Sequence, residues 1–121
     1  MIRGYLSQLD RKLKQLAPII SSSSVQREFD ANLNIGFIKG RIIFIDGSVL
    51  DFAERISVQR PSYRFHYMDS ENNLIIRWDS APHFQHLSTF PFHRHTPRGV
   101  EACEALNLLG ALTQIERVVK L

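Results

Sequence analysis

The chain has one cysteine in 121 residues. Cys103 therefore has no partner for an internal disulfide, which fits a reducing compartment, and its expected role is that of a small buried side chain rather than a nucleophile. No apolar run approaches the roughly 20 residues that span a bilayer, and the first residues lack the apolar block of a signal peptide. The expectation is a cytoplasmic protein with no membrane contact. Several chemical signatures are also missing. There is no Gly-rich phosphate loop, no Gly-x-Ser-x-Gly elbow, no zinc-spaced cysteine pair and no His-Glu-x-x-His helix, which argues against nucleotide triphosphatases, serine hydrolases, structural zinc modules and zincin-type proteases. Even the charge excess is small: a formal +3 does not by itself indicate nucleic acid.

What the chain does have is clustered histidine. Four of its five histidines fall within Pro82-His83-Phe84-Gln85-His86 and His93-Arg94-His95, and the fifth is His66. Imidazole changes charge near neutral pH and ligates metals, so this clustering points to proton transfer, metal ligation or phosphate contact without choosing among them. Arg77, Arg94 and Arg98 lie in the same half of the chain and add a local positive field that an anion can use.

Ile2, Tyr5, Leu6, Leu9, Leu13 and Leu16 recur at spacings of three and four, predicting an amphipathic helix that Pro18 stops. Ser21 to Ser24 reads as a short polar connector. An edge strand follows over Val25 to Asp30. Phe37 to Ile45 and Ser48 to Ile56 then read as a hairpin around a two-residue Asp46-Gly47 turn. Ser62 to Met68 and Leu74 to Trp78 form a second hairpin. Asp79 to Arg98, with three prolines, is expected to be an ordered loop, and Val100 to Leu106 fits either strand or helix. Asn107 is placed to cap a last helix carrying Leu108, Leu109, Leu112, Ile115 and Val119. Together these give one α+β domain over residues 1–121. Its expected form is an antiparallel meander of about five strands with the N-terminal and C-terminal helices packed on one face.

Strand alternation puts Arg64, His66 and Met68 on one face and Tyr63, Phe65 and Tyr67 on the other. Pairing Asp69 with Leu74 then sets His66 opposite Arg77, Arg64 opposite Asp79 and Phe65 opposite Trp78, so that polar groups and aromatics sort separately. The histidine loop leaves this sheet directly and is placed to fold back over the polar cluster. Tyr63, Phe65, Tyr67, Trp78, Phe90 and Phe92 are assigned to the core, and Glu54 to the exposed surface. A metal site built from His83, His86, His93 and His95 is the alternative use of the loop. In it His93 and His95 share a strand face, and His83 and His86 are joined across one helical turn.

The stretch Gly36 to Ser48 and the run Tyr63-Arg64-Phe65-His66-Tyr67-Met68-Asp69 resemble the TumE family of predicted prokaryotic toxins. Arg77-Trp78-Asp79-Ser80-Ala81-Pro82-His83 and Thr89-Phe90-Pro91-Phe92-His93-Arg94-His95 extend the likeness over most of the chain. Phe84 and Phe92 stand where the family pattern carries further histidines, which leaves His66, Asp69, Arg77, Asp79, His83, His93 and His95 as the matching polar positions. The resemblance implies the toxin of a two-gene toxin–antitoxin module, with an antitoxin of the TumA type as partner.

Joined to the histidines and arginines, the resemblance leads to the expectation of a toxin that acts on RNA. His66 with His93 or His95 would be the acid/base pair, Asp79 would orient them, and Arg64, Arg77 and His83 would hold phosphate, with no cofactor. Two alternatives stand beside it. One is a nuclease or phosphodiesterase dependent on a divalent metal. The other is a non-enzymatic protein that blocks a cellular target. A homo-oligomer is compatible with all three.

Overall fold

The alternation of apolar and polar residues in the middle of the chain builds a single seven-stranded antiparallel sheet, strictly in chain order, in this computed structural model. It describes residues 1–119, so residues 120 and 121 of the expected domain lie outside it. The order is α1 (Ile2–Gln15), a 3-10 turn (Ala17–Ile19), β1 (Ile20–Asp30), β2 (Ile35–Phe44), β3 (Val49–Ile56), β4 (Ser62–Met68), β5 (Leu74–Asp79), β6 (His93–Thr96), β7 (Gly99–Ala102) and α2 (Leu108–Glu116). No described helix is long and apolar enough to cross a membrane.

One face of the sheet carries the core. Ile38, Ile42, Leu50, Phe52, Tyr63, Phe65, Tyr67 and Trp78 are buried there against Ile2, Leu6, Leu9 and Leu16 from the N-terminal segment and Leu108, Ala111, Leu112 and Ile115 of α2. The α+β class and the placement of both helices on one face match the expectation, while the strand count rises from about five to seven. The two extra elements are β6, from the segment read as a loop, and β7, which begins just after it and runs into the stretch left open between strand and helix; β6 pairs with β5 and β7 with β6. Prolines 91 and 97 hid this hairpin, but both fall just outside the two short strands, where they remove no ladder donor.

The edge strand is also longer than expected. Ser21 to Ser24 belongs to β1, where Ser22 to Ser24 pair with Ile43 to Arg41 and Ser21 falls at a register shift, because a two-sided exposed edge needs only backbone donors and acceptors, which serine supplies as well as valine. Gly40 permits this approach: a Cβ there would run into the backbone oxygen of Ser24. The β2–β3 turn, closed by a hydrogen bond between Phe44 and Ser48, encloses three residues, Ile45 to Gly47, rather than two. Phe44 N–H donates to Ser48 O at 2.9 Å, Gly47 N–H donates to Phe44 O at 2.9 Å, and only Gly47 has positive φ, at 84°. In the β4–β5 hairpin the pairs Arg64–Asp79, Phe65–Trp78 and His66–Arg77 form as expected. Met68, not Asp69, opposites Leu74, because the register shifts after Tyr67 and leaves Ile75 as the extra residue.

Asn107 caps α2 through its side-chain oxygen, which accepts from Gly110 N at 2.8 Å. Val119 falls beyond the helix but still packs on the core. Val100 resolves as strand, and residues 103–107 run without regular structure. Phe90 is 41% exposed and not part of the core, and Cys103 is only half-buried.

Glu54 overturns its surface assignment. It lies on the core face, where it accepts from Tyr5 Oη at 2.6 Å, while Leu108 N–H donates to the same Tyr5 oxygen at 3.0 Å. This chain ties α1, β3 and α2 together. Burial is the main cause that raises the Glu54 pKa, against the lowering effect of the Tyr5 hydrogen bond. A carboxyl raised on folding contributes stability fully below its ordinary pKa and loses it as pH rises through the folded value. Glu54→Gln keeps an acceptor for Tyr5 and removes the buried charge. The variant is expected to melt above the wild type at neutral pH, with the gap closing below about pH 4.5, the ordinary value. A wild-type protein that stays the more stable at neutral pH in calorimetry refutes this account.

Candidate functional site

The sheet face turned away from the helices carries the polar residues, in rows that the strand register makes continuous. Asp51, His66, Arg77 and His95 are successive cross-strand partners on β3, β4, β5 and β6. The neighbouring row runs Ala53, Arg64, Asp79 and His93 on the same strands. Directly opposed residues share a face, so six of the seven residues expected at the site lie on one side of the sheet. His83 is the seventh. It sits in an exposed turn of the connection between β5 and β6.

That connection folds back over the β5–β6 end of the polar face. Its start is held by Ser80, whose Oγ accepts from Tyr63 N at 2.9 Å and whose N–H donates to Tyr63 O at 3.1 Å. Its end is held by Thr89, which donates to Phe92 O at 2.6 Å and accepts from Cys103 N at 3.0 Å. Between these anchors Phe84 lies against both β6 imidazoles, its ring 4.8 Å from that of His93 and 5.7 Å from that of His95. Asp79 and His93 are consequently buried, at 5% and 1% exposure, although they belong to the face opposite the core.

Around Asp79 the polar atoms converge. His93 Nε2 stands 2.9 Å from Asp79 Oδ1 and 3.1 Å from His95 Nε2, and His95 Nε2 stands 3.5 Å from Asp79 Oδ2. Arg77 Nε is 3.2 Å from Oδ2 but not aligned for a hydrogen bond, while Ala81 N–H donates to Oδ1 at 2.9 Å. His93 Nδ1 faces the carbonyl oxygen of Pro91 at 2.9 Å. His83 and His86 do not join this group. The connection is not helical there, both residues are exposed, and their rings meet the edges of Phe84 at 6.5 and 6.4 Å. Among the described residues the metal-capable cluster is Asp79, His93 and His95.

At the two partly exposed imidazoles of the polar face the surroundings favour the neutral form. Burial lowers the His66 pKa below the ordinary histidine value, with further lowering from the Arg77 and Arg64 charges. Burial is also the main cause that lowers the His95 pKa, which His93 and Arg77 depress further and Asp79 partly restores. His66 Nδ1 has no hydrogen-bond partner among the described residues. An imidazole kept in its base form beside a guanidinium can accept a proton, and the guanidinium can neutralise an anion next to it.

A groove of about 830 Å³ continues from this site across the same face, lined in part by Phe37, Lys39, Ala53, Arg55, Arg64 and Pro82. Lys39 and Arg55 were not singled out from the sequence. The signal was available in the alternation of β2 and β3, which turns Lys39, Arg41 and Arg55 to the face of Arg64 and Arg77. The Pro91 carbonyl and the Phe84 cover gave no sequence signal, because both depend on how the β5–β6 connection closes.

The family model described as Toxin TumE matches residues 9–120 of this chain. No curated protein and no solved structure matches it.

Proposed function

The chain belongs to the Toxin TumE family, and on that premise we propose that it is the toxin of a two-gene toxin–antitoxin module and that it acts by cleaving RNA. The observation that carries the proposal is the row His66–Arg77–His95: two imidazoles in the base form flank a guanidinium on an open face continuous with a basic groove. A phosphodiester seated on Arg77, with Arg64 beside it, presents its 2′-hydroxyl and leaving oxygen to the flanking imidazoles. One imidazole, in the base form, accepts the 2′-hydroxyl proton; the other, in the fraction of molecules where it has taken up a proton from solvent, delivers that proton to the leaving 5′-oxygen; and Arg77 stabilises charge on the phosphorane. His93 is buried behind this row and positions His95, as Asp79 positions both. Lys39, Arg41 and Arg55 extend the same face as contacts for the flanking backbone phosphates.

An antitoxin of the TumA type is the expected partner, held in part by complementarity between an acidic surface and this basic face. Expression of the chain alone is expected to arrest growth, and co-expression of the adjacent gene to relieve the arrest and yield a stable complex. Purified protein is expected to cut single-stranded RNA and leave 2′,3′-cyclic phosphate ends. Growth arrest with intact cellular RNA, persisting in His66→Ala and Arg77→Ala variants, excludes this chemistry and favours a protein that blocks its target by binding.

A further inference from the structure

We propose that Asp79, His93 and His95 form a facial three-ligand site for a divalent transition-metal ion, through the Asp79 carboxylate, His93 Nε2 and His95 Nε2. The protonation of His93 is the starting point. Its Nδ1 faces the Pro91 carbonyl oxygen at 2.9 Å, and a carbonyl only accepts, so Nδ1 carries the hydrogen. That fixes the ring with Nε2 turned inward, the arrangement in which metal-ligating histidines are held by a second-shell carbonyl.

Nε2 then meets two electron-rich atoms, the Asp79 Oδ1 carboxylate oxygen at 2.9 Å and His95 Nε2 at 3.1 Å. A hydrogen or a metal ion has to lie between lone pairs this close. A proton on Nε2 lies along only one of the two lines, whereas a metal ion answers all three donors together. The spacing suits an ion: ligands about 2.0–2.2 Å from zinc, at angles between a right angle and the tetrahedral value, stand about 2.8–3.6 Å apart, a range that takes in the 2.9 Å and 3.1 Å separations around His93 and the 3.5 Å from His95 Nε2 to its nearest carboxylate oxygen, Asp79 Oδ2. The remaining groups agree with this division. Arg77 approaches the other carboxylate oxygen, Oδ2, and Phe84 closes the site from the loop side.

The ligand set differs from one drawn from the four loop histidines, since His83 and His86 remain on the exposed turn and a strand carboxylate takes their place. Two imidazoles and one carboxylate suit Zn²⁺, Co²⁺, Mn²⁺ or Fe²⁺ and leave positions free for water or a substrate oxygen. With an ion present, His95 acts through it and proton transfer on the open face falls to His66. This last consequence rests on the RNA-cleaving reading, whereas the ion site itself does not.

The test uses untagged full-length protein, equilibrated with Zn²⁺ or Co²⁺ and dialysed. Metal content is measured by mass spectrometry, and Co²⁺ coordination by visible absorption. One ion per chain and a raised melting temperature with added metal are expected, both retained in a His83→Ala/His86→Ala double variant. His95→Ala changes a partly exposed side chain and is expected to remain folded by circular dichroism while losing the ion and its absorption bands. A folded wild type that binds neither Zn²⁺ nor Co²⁺ overturns the proposal, as does binding that survives in His95→Ala and disappears in the double variant. Stoichiometric binding without RNA cleavage leaves the ion site standing and overturns only the cleavage reading.

Discussion

Replacing His66 or Arg77 by alanine is expected to abolish growth arrest and to lower RNA cleavage, by about 100- to 10,000-fold for His66, the range associated with losing a general acid or base, and by about 100- to 1,000-fold for Arg77, that for losing a stabiliser of transition-state charge. The melting temperature should stay close to that of the wild type. Both side chains lie on the open face and take no part in the apolar core. Their contacts add little that a folded state would miss: His66 Nδ1 is unpartnered among the described residues, and Arg77 meets Asp79 without hydrogen-bond alignment. His93→Ala belongs to a different class. That ring is 1% exposed and packed under Phe84, so its loss is expected to lower stability together with activity. Toxicity retained in stable His66→Ala and Arg77→Ala proteins removes these side chains from the mechanism. Equal unfolding of both makes them structural.

Phe65→Ala should produce the largest loss of stability, about 3–5 kcal/mol. Phe65 has no exposed surface, stacks on Tyr63 with ring centres 4.8 Å apart, and lies between Phe52 and Trp78 in the register of β3, β4 and β5. Its removal opens a cavity in the sheet layer that α1 and α2 cover, and rigid strand backbones on both sides limit how far the gap can collapse. Phe90→Ala is the matched control, since Phe90 is 41% exposed on the covering loop. Its unfolding free energy in urea should differ little from that of the wild type. A Phe65→Ala protein within about 1 kcal/mol of the wild type contradicts the assigned core.

The two predictions divide one strand between its faces: Phe65 supports the core and His66, the next residue, supports the site. That division was legible in the sequence, because a period of two is a local property of an extended chain and hydrophobic sorting fixes which face is buried. The helices at each end and the Asn107 cap were legible for the same kind of reason, being set by residues three or four apart. So were the opposed pairs His66–Arg77 and Arg64–Asp79, which need only one hairpin register.

Tertiary structure decided the rest. Glu54 looked like a surface carboxylate until α1 and α2 met over β3, because its hydrogen-bond partner lies 49 residues away in Tyr5. The short strands β6 and β7 have little β signal of their own and exist because the exposed edge of β5 supplies a ladder to pair with. The same docking separated the histidines. Sequence proximity grouped His83 and His86 with His93 and His95, but strand pairing set His93 and His95 beside Asp79, while the non-helical turn left the other two outside. A histidine's burial, tautomer and partners depend on atoms brought from other strands and loops. Composition shows that imidazoles are present, and strand pairing with the closed connection over the sheet determines which of them stand beside Asp79.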